Sequence, residues 1–83
     1  MNLSISHLAL LIELTEVEIA EMKKIIDSLT SSDQEKDDAG EHTMQLMSLS
    51  SVLHHLYRDQ VFKAEDEMSY DELIDDIHKR RRL

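Results

Sequence analysis

The stretch ISHLALLIELTEVEIAEMKKIIDSL, residues 5–29, decides the fold of this 83-residue chain. Its apolar residues recur at alternating spacings of three and four, with Thr15 in the one gap: Ile5, Leu8, Ile12, Ile19, Met22, Ile26 and Leu29. A stripe of this kind lies along one face of an α-helix. We therefore predict helix 1 over residues 6–30, with Ser4 or Ser6 as its N-cap.

A second apolar stripe follows the same helix outside the first one. It consists of Leu3, Leu10, Leu14 and Val17, with Leu11 beside it. One neighbouring helix cannot cover both stripes, so the C-terminal helix, a second copy of the chain or a partner protein must pack on the other. We predict that Leu10, Leu14 and Val17 form an interaction surface.

Helix 2 follows a polar, acidic connection. We place the acidic linker at residues 31–40 and helix 2 at residues 40–64, although Ser32 and Glu35 have capping-box spacing and would allow a start at Asp33. The predicted core stripe is Leu46, Leu49, Leu53 and Leu56. Phe62 lies off that stripe, which makes it the best candidate for an exposed anchor or dimer contact.

A short helix 3 is predicted over residues 70–80, with a basic tail at residues 79–83. Ser69 and Glu72 again have capping-box spacing. Acidic residues in the first turn and basic residues in the last turn complement the helix dipole. Two acid–base pairs, Asp75 with Lys79 and Asp76 with Arg80, have the i, i+4 spacing of helix ion pairs.

Composition indicates an all-α protein. The chain has one Gly, no Pro and 41% apolar residues, so it has few of the residues that build the tight turns of a sheet. Its length is that of one small domain, which often needs oligomerisation to complete its core. We expect residues 1–83 to form an antiparallel two-helix hairpin plus a short C-terminal third helix, completed by dimerisation into a bundle.

Several classes of function are disfavoured by composition and charge. The chain has no Cys, which removes thiolate metal sites and cysteine nucleophiles. Its N-terminus has neither a signal-peptide pattern nor the apolar length of a membrane span, so we expect a cytoplasmic protein without membrane contact. The net charge of −9 is distributed evenly along the chain, which argues against direct nucleic-acid binding.

An enzymatic alternative depends on carboxylate pairs. Glu18 and Glu21, together with Glu72 and Asp75, could hold Mg²⁺ if the two helices faced each other. The all-α nucleoside triphosphate pyrophosphohydrolases use a pattern of this kind. The five histidines lack the companions of a zinc site.

The leading hypothesis is a small acidic, non-catalytic regulatory module that forms a homodimer and binds another protein, without a cofactor. The first alternative is the Mg-dependent, pyrophosphohydrolase-like enzyme. The second is a nucleic-acid mimic that inhibits a basic protein, since the acidic charge is spread over the whole chain.

Overall fold

The computed structural model describes residues 3–64 and 67–83, and every regular element in these residues is helical. The helices are α1 (Ile5–Asp27), α2 (Asp33–Lys63) and α3 (Tyr70–Arg81). This order confirms the predicted all-α fold with three helices. α1 packs mainly against α2, while the shorter α3 makes fewer contacts with both.

α1 begins where its capping residue predicts and ends slightly earlier than expected. The Ser4 hydroxyl accepts a hydrogen bond from the backbone N–H of His7, so Ser4 is the N-cap. At the other end Ser28 is extended, with ψ 131°, and the chain leaves the helical path. Leu29 is therefore 98% exposed, and its predicted place at the end of the core stripe is wrong.

α2 begins at Asp33, seven residues before the predicted start near residue 40. Ser32 and Glu35 form a complete capping box, in which each side chain accepts a hydrogen bond from the other residue's backbone N–H. Helix therefore replaces most of the predicted acidic linker, and the connection shortens to residues 28–32. Gly40 lies within the helix and does not interrupt it.

The core lies where the three helices meet. Its buried side chains are Leu8, Ile12, Leu53, Tyr57, Leu73 and Ile77. α1 and α2 form an antiparallel hairpin, and α3 returns in the direction of α1. This direction follows because Leu73 lies near Ile5, whereas Leu83 lies near Val17.

α3 packs against α1 and α2 of its own chain. Leu73 and Ile77 are its two buried residues. The connection before it is tied to α2 because the hydroxyl of buried Tyr57 donates a 2.7 Å hydrogen bond to the carbonyl of Met68. Burial raises the pKa of Tyr57, which keeps this donor protonated.

Across residues 3–64 and 67–83, none of the helices combines the length and apolar character that a membrane crossing requires.

Candidate interaction surface

Lys79, Arg80 and Arg81, at the basic end of α3, form ion pairs within the chain. Arg80 and Arg81 both donate to the carboxylate of Glu13 on α1, the latter at 2.6 and 3.0 Å. These hydrogen bonds, from Arg80 first and then Arg81, lower the pKa of Glu13. The predicted pair of Asp75 with Lys79 is confirmed at 2.8 Å. The pairs of Arg80 and Arg81 with Glu13 therefore hold α3 to α1.

The four carboxylates of the enzymatic alternative are not brought together. Each has a different partner: Glu18 pairs with His42, Glu21 with Lys24 and Asp75 with Lys79, while the Glu72 carboxylate accepts a hydrogen bond from the Ser69 hydroxyl. Among the residues that the structure describes, no three His, Asp or Glu side chains form a group able to hold a metal ion. The geometry gives no support to the predicted facing of the two carboxylate pairs.

Two histidines connect helices through carboxylates. His42 on α2 lies 3.5 Å from Glu18 on α1, and His78 on α3 lies 3.0 Å from Glu16 on α1. His42 is thus an exposed residue at the edge of the α1–α2 contact. The two histidines therefore join α2 and α3 to α1 at the surface of the molecule.

A shallow cleft lies where the C-terminal part of α2 meets the start of α3. It has a volume of about 440 Å³ and is lined by residues that include His54, Arg58, Phe62 and Tyr70. The His54 and Tyr70 rings stack at 3.7 Å, with an interplanar angle of 13°. Both rings are therefore packed against each other, and burial raises the pKa of the Tyr70 hydroxyl.

The four residues predicted as an interaction surface do not form one continuous patch. Leu10 and Leu14 are exposed on α1, whereas Val17 is half-buried near the end of α3. Phe62 is 92% exposed near the end of α2, at the rim of the cleft. The structure leaves three of the four available to a partner.

The predicted core stripe of α2 is wrong at two of its four positions. Leu46 and Leu53 are buried, but Leu49 and Leu56 are exposed. The buried face is instead centred towards Tyr57, which packs with Leu53 against the two buried residues of α3. Because α3 adds a second neighbour on the Tyr57 side, the core side of α2 turns away from Leu49 and Leu56.

These leucines belong to an exposed apolar surface that crosses both helices of the hairpin. Glu18 and His42 are paired across the hairpin. Seven residues are about two helical turns, so Leu11 lies two turns before Glu18 on the same side of α1, and Leu49 lies two turns after His42 on the same side of α2. Because the helices are antiparallel, these two steps run in the same direction, and Leu11 lies beside Leu49. A further step along α2 reaches Leu56. Leu14 and Val52 lie one turn from the central pair, and we call Leu11, Leu14, Leu49, Val52 and Leu56 the hairpin face.

α3 leaves the hairpin face uncovered. Glu16, which binds His78 of α3, is two residues from Glu18, and two residues correspond to about 200° around the helix. α3 therefore lies on the opposite side of α1 from the hairpin face. All five aliphatic residues of the face are exposed.

The middle of α2 has a sequence signal that periodicity alone does not reveal. Residues 43–57, TMQLMSLSSVLHHLY, contain no Asp, Glu, Lys or Arg, although one third of the chain is charged. A helix with one solvent-facing side normally has charged residues there. Four turns without charged residues indicate that more than one side of α2 packs against other helices. Val52, in the centre of this segment, was not singled out by spacing.

Comparison of the chain with protein-family models, with curated proteins and with solved structures finds no match. The functional conclusion therefore depends on the surface just described.

Proposed function

We propose that this protein is a non-catalytic regulatory module that acts in the cytoplasm by binding protein helices, including those of a second copy of itself. The observation that carries the proposal is the hairpin face, which places five aliphatic side chains in solvent on an otherwise acidic molecule; Leu10 and Phe62 are exposed outside this face. Contiguous exposed apolar surface of this kind is typical of protein-binding sites. Antiparallel helices with apolar side chains in a row form the groove in which a third or fourth helix packs.

The electrostatics of the molecule also favour binding over catalysis. The carboxylates and basic groups in contact with one another lie between helices or one turn apart, where they stabilise the fold. The magnesium-dependent alternative has no group of carboxylates, among residues 3–64 and 67–83, on which to rest. Mimicry of nucleic acid would require rows of acidic groups along the molecule, and the uncharged middle of α2 interrupts them.

Affinity capture with matched variants tests partner binding. The bait is the full chain, the test variant is Leu14→Asp, and the control is Leu29→Asp, which introduces the same charge at a 98% exposed position between α1 and α2. Proteins retained by the wild type and the control but lost by Leu14→Asp support the proposal. Identical sets for all three baits would contradict a role for this surface.

A further inference from the structure

We infer that a second copy of this chain covers the hairpin face, so that two hairpins related by a two-fold axis form a four-helix bundle with one α3 on each outer side. This inference rests on the proposed function, because it assigns the self-association to one surface and one occupant. Face-to-face packing of two helical hairpins is an established route to a four-helix bundle.

The distribution of charge favours a second copy of the chain as the occupant. Two copies of a chain with a net charge of −9 repel each other unless their contact lies where charge is absent. The hairpin face provides such a region: residues 43–57 lack acidic and basic side chains except for histidines. On the facing part of α1, Glu13 and Glu16 point to α3, where they bind Arg80, Arg81 and His78.

A strongly basic or acidic partner would gain nothing from this region, because the face offers no complementary charge. In the part of the chain that the structure describes, charged side chains lie only at the edge of the hairpin face, where Glu18 pairs with His42 at one end. The surface that matches an uncharged aliphatic face is another uncharged aliphatic face. A second copy of the chain provides such a face, since its own α1 and α2 form the same hairpin face around Leu11 and Leu49.

The spacing of the face suits packing on itself. Leu49, Val52 and Leu56 follow the 3, 4 spacing of a coiled-coil seam, and Leu11 and Leu14 provide one turn of the same seam on the antiparallel neighbour. Leu49 and Leu56 differ by only about 20° around α2, which makes the seam straight enough for a nearly parallel helix. In a two-fold contact each of these five residues is used twice, so ten aliphatic side chains leave water together.

The test is the mass of the intact chain in solution, measured by light scattering after gel filtration over about a hundredfold range of concentration. We expect the wild type to change from one chain to two chains as concentration rises. The test variant is Val52→Asp, and the control is Met47→Asp on the same helix. Met47 is 61% exposed and Val52 54%, but they lie about 140° apart around α2.

Val52→Asp is expected to raise the concentration at which half the chains are dimeric by about a hundredfold, because each dimer then buries two carboxylates. Met47→Asp is expected to leave that concentration unchanged. Circular dichroism verifies that each variant keeps its helices. If Val52→Asp does not fold, Val52→Gln and Leu49→Gln provide the uncharged test and are expected to weaken the dimer in the same direction.

Three results would overturn the inference, and they differ in what they mean for the proposed function. A wild type that stays monomeric throughout removes self-association, while the affinity capture still decides partner binding. A dimer that is unaffected by substitutions at Val52 and Leu49 places the interface elsewhere and leaves self-association standing. Equal weakening by Val52→Asp and Met47→Asp would show that the contact has no preferred side of α2.

Discussion

Replacement of Ile77 by alanine should release α3 from the hairpin while α1 and α2 stay folded. Ile77 is fully buried, and it is one of two buried residues in a helix of 12 residues. The substitution removes three carbon atoms, which corresponds to about 2.4 kcal/mol at 0.8 kcal/mol per buried methylene. The cavity that remains increases the loss, so we expect about 3 kcal/mol.

This loss is large for so short a helix, because isolated helices of about 12 residues are only marginally stable in water. Amide hydrogen exchange measured by NMR is the assay. We expect the amides of α3 to exchange about a hundredfold faster in Ile77→Ala than in the wild type, with the middle of α2 changing less. Ile74→Ala is the matched control, since Ile74 has the same side chain on the same helix but is only half-buried.

Exchange of the α3 amides that stayed within about threefold of the wild-type rate would refute the reasoning, since it would mean that Ile77 does not hold α3 in place. An equally large effect of Ile74→Ala would also contradict it, because the two residues differ in burial.

The remaining predictions concern single interactions. Gly40→Ala should stabilise the protein against urea by about 0.5–1 kcal/mol, because glycine weakens a helix interior and an added Cβ at this position would meet no atom within 4 Å. Glu13→Gln should remove part of the loss of stability below pH 4.5. The pKa of Glu13 is lowered in the fold, so its carboxylate stabilises the protein above the ordinary pKa of 4.5, and this stabilisation disappears as pH falls. Acid titration followed by circular dichroism measures the effect. Tyr57→Phe should cost about 0.5–1.5 kcal/mol at neutral pH through the lost bond to Met68. It should also reduce the loss of stability above pH 10, where the raised pKa of Tyr57 makes ionisation favour the unfolded chain. A destabilised Gly40→Ala, or unchanged acid and alkaline profiles for the other two variants, would contradict these expectations.

Much of the helical structure was predictable because its signals are local. Ser4, Ser32 and Ser69 each cap a helix as their spacing indicates, since a cap needs only the serine and the backbone three residues later. The predicted start of helix 2 near residue 40 is wrong, because α2 begins at Asp33 and continues through Gly40. Its cost in a helix is about 1 kcal/mol, which a complete capping box and thirty other helical residues readily outweigh.

The orientation of α2 was not predictable from its own periodicity. Leu46, Leu49, Leu53 and Leu56 form a stripe wide enough for either edge to face the core. The choice is made by Tyr57, whose ring meets residues of α3 that are distant in sequence. The same choice creates the hairpin face, so the face could not be placed from the periodicity of α2 alone. The sequence does contain one signal of the hairpin face, which is the uncharged segment at residues 43–57. A helix whose middle turns faced water on every side outside the core would carry charged residues there.

Leucine methyl signals recorded by NMR with a soluble paramagnetic probe, at a low and a high protein concentration, report directly on whether the hairpin face is covered by association. At low concentration the probe should broaden the signals of Leu11, Leu14, Leu49 and Leu56, which are exposed in the single chain. At high concentration these four should become protected, while Leu29, 98% exposed and outside the helices, stays broadened. Equal broadening of the four leucines at both concentrations would contradict the inference that a second copy of the chain covers this face.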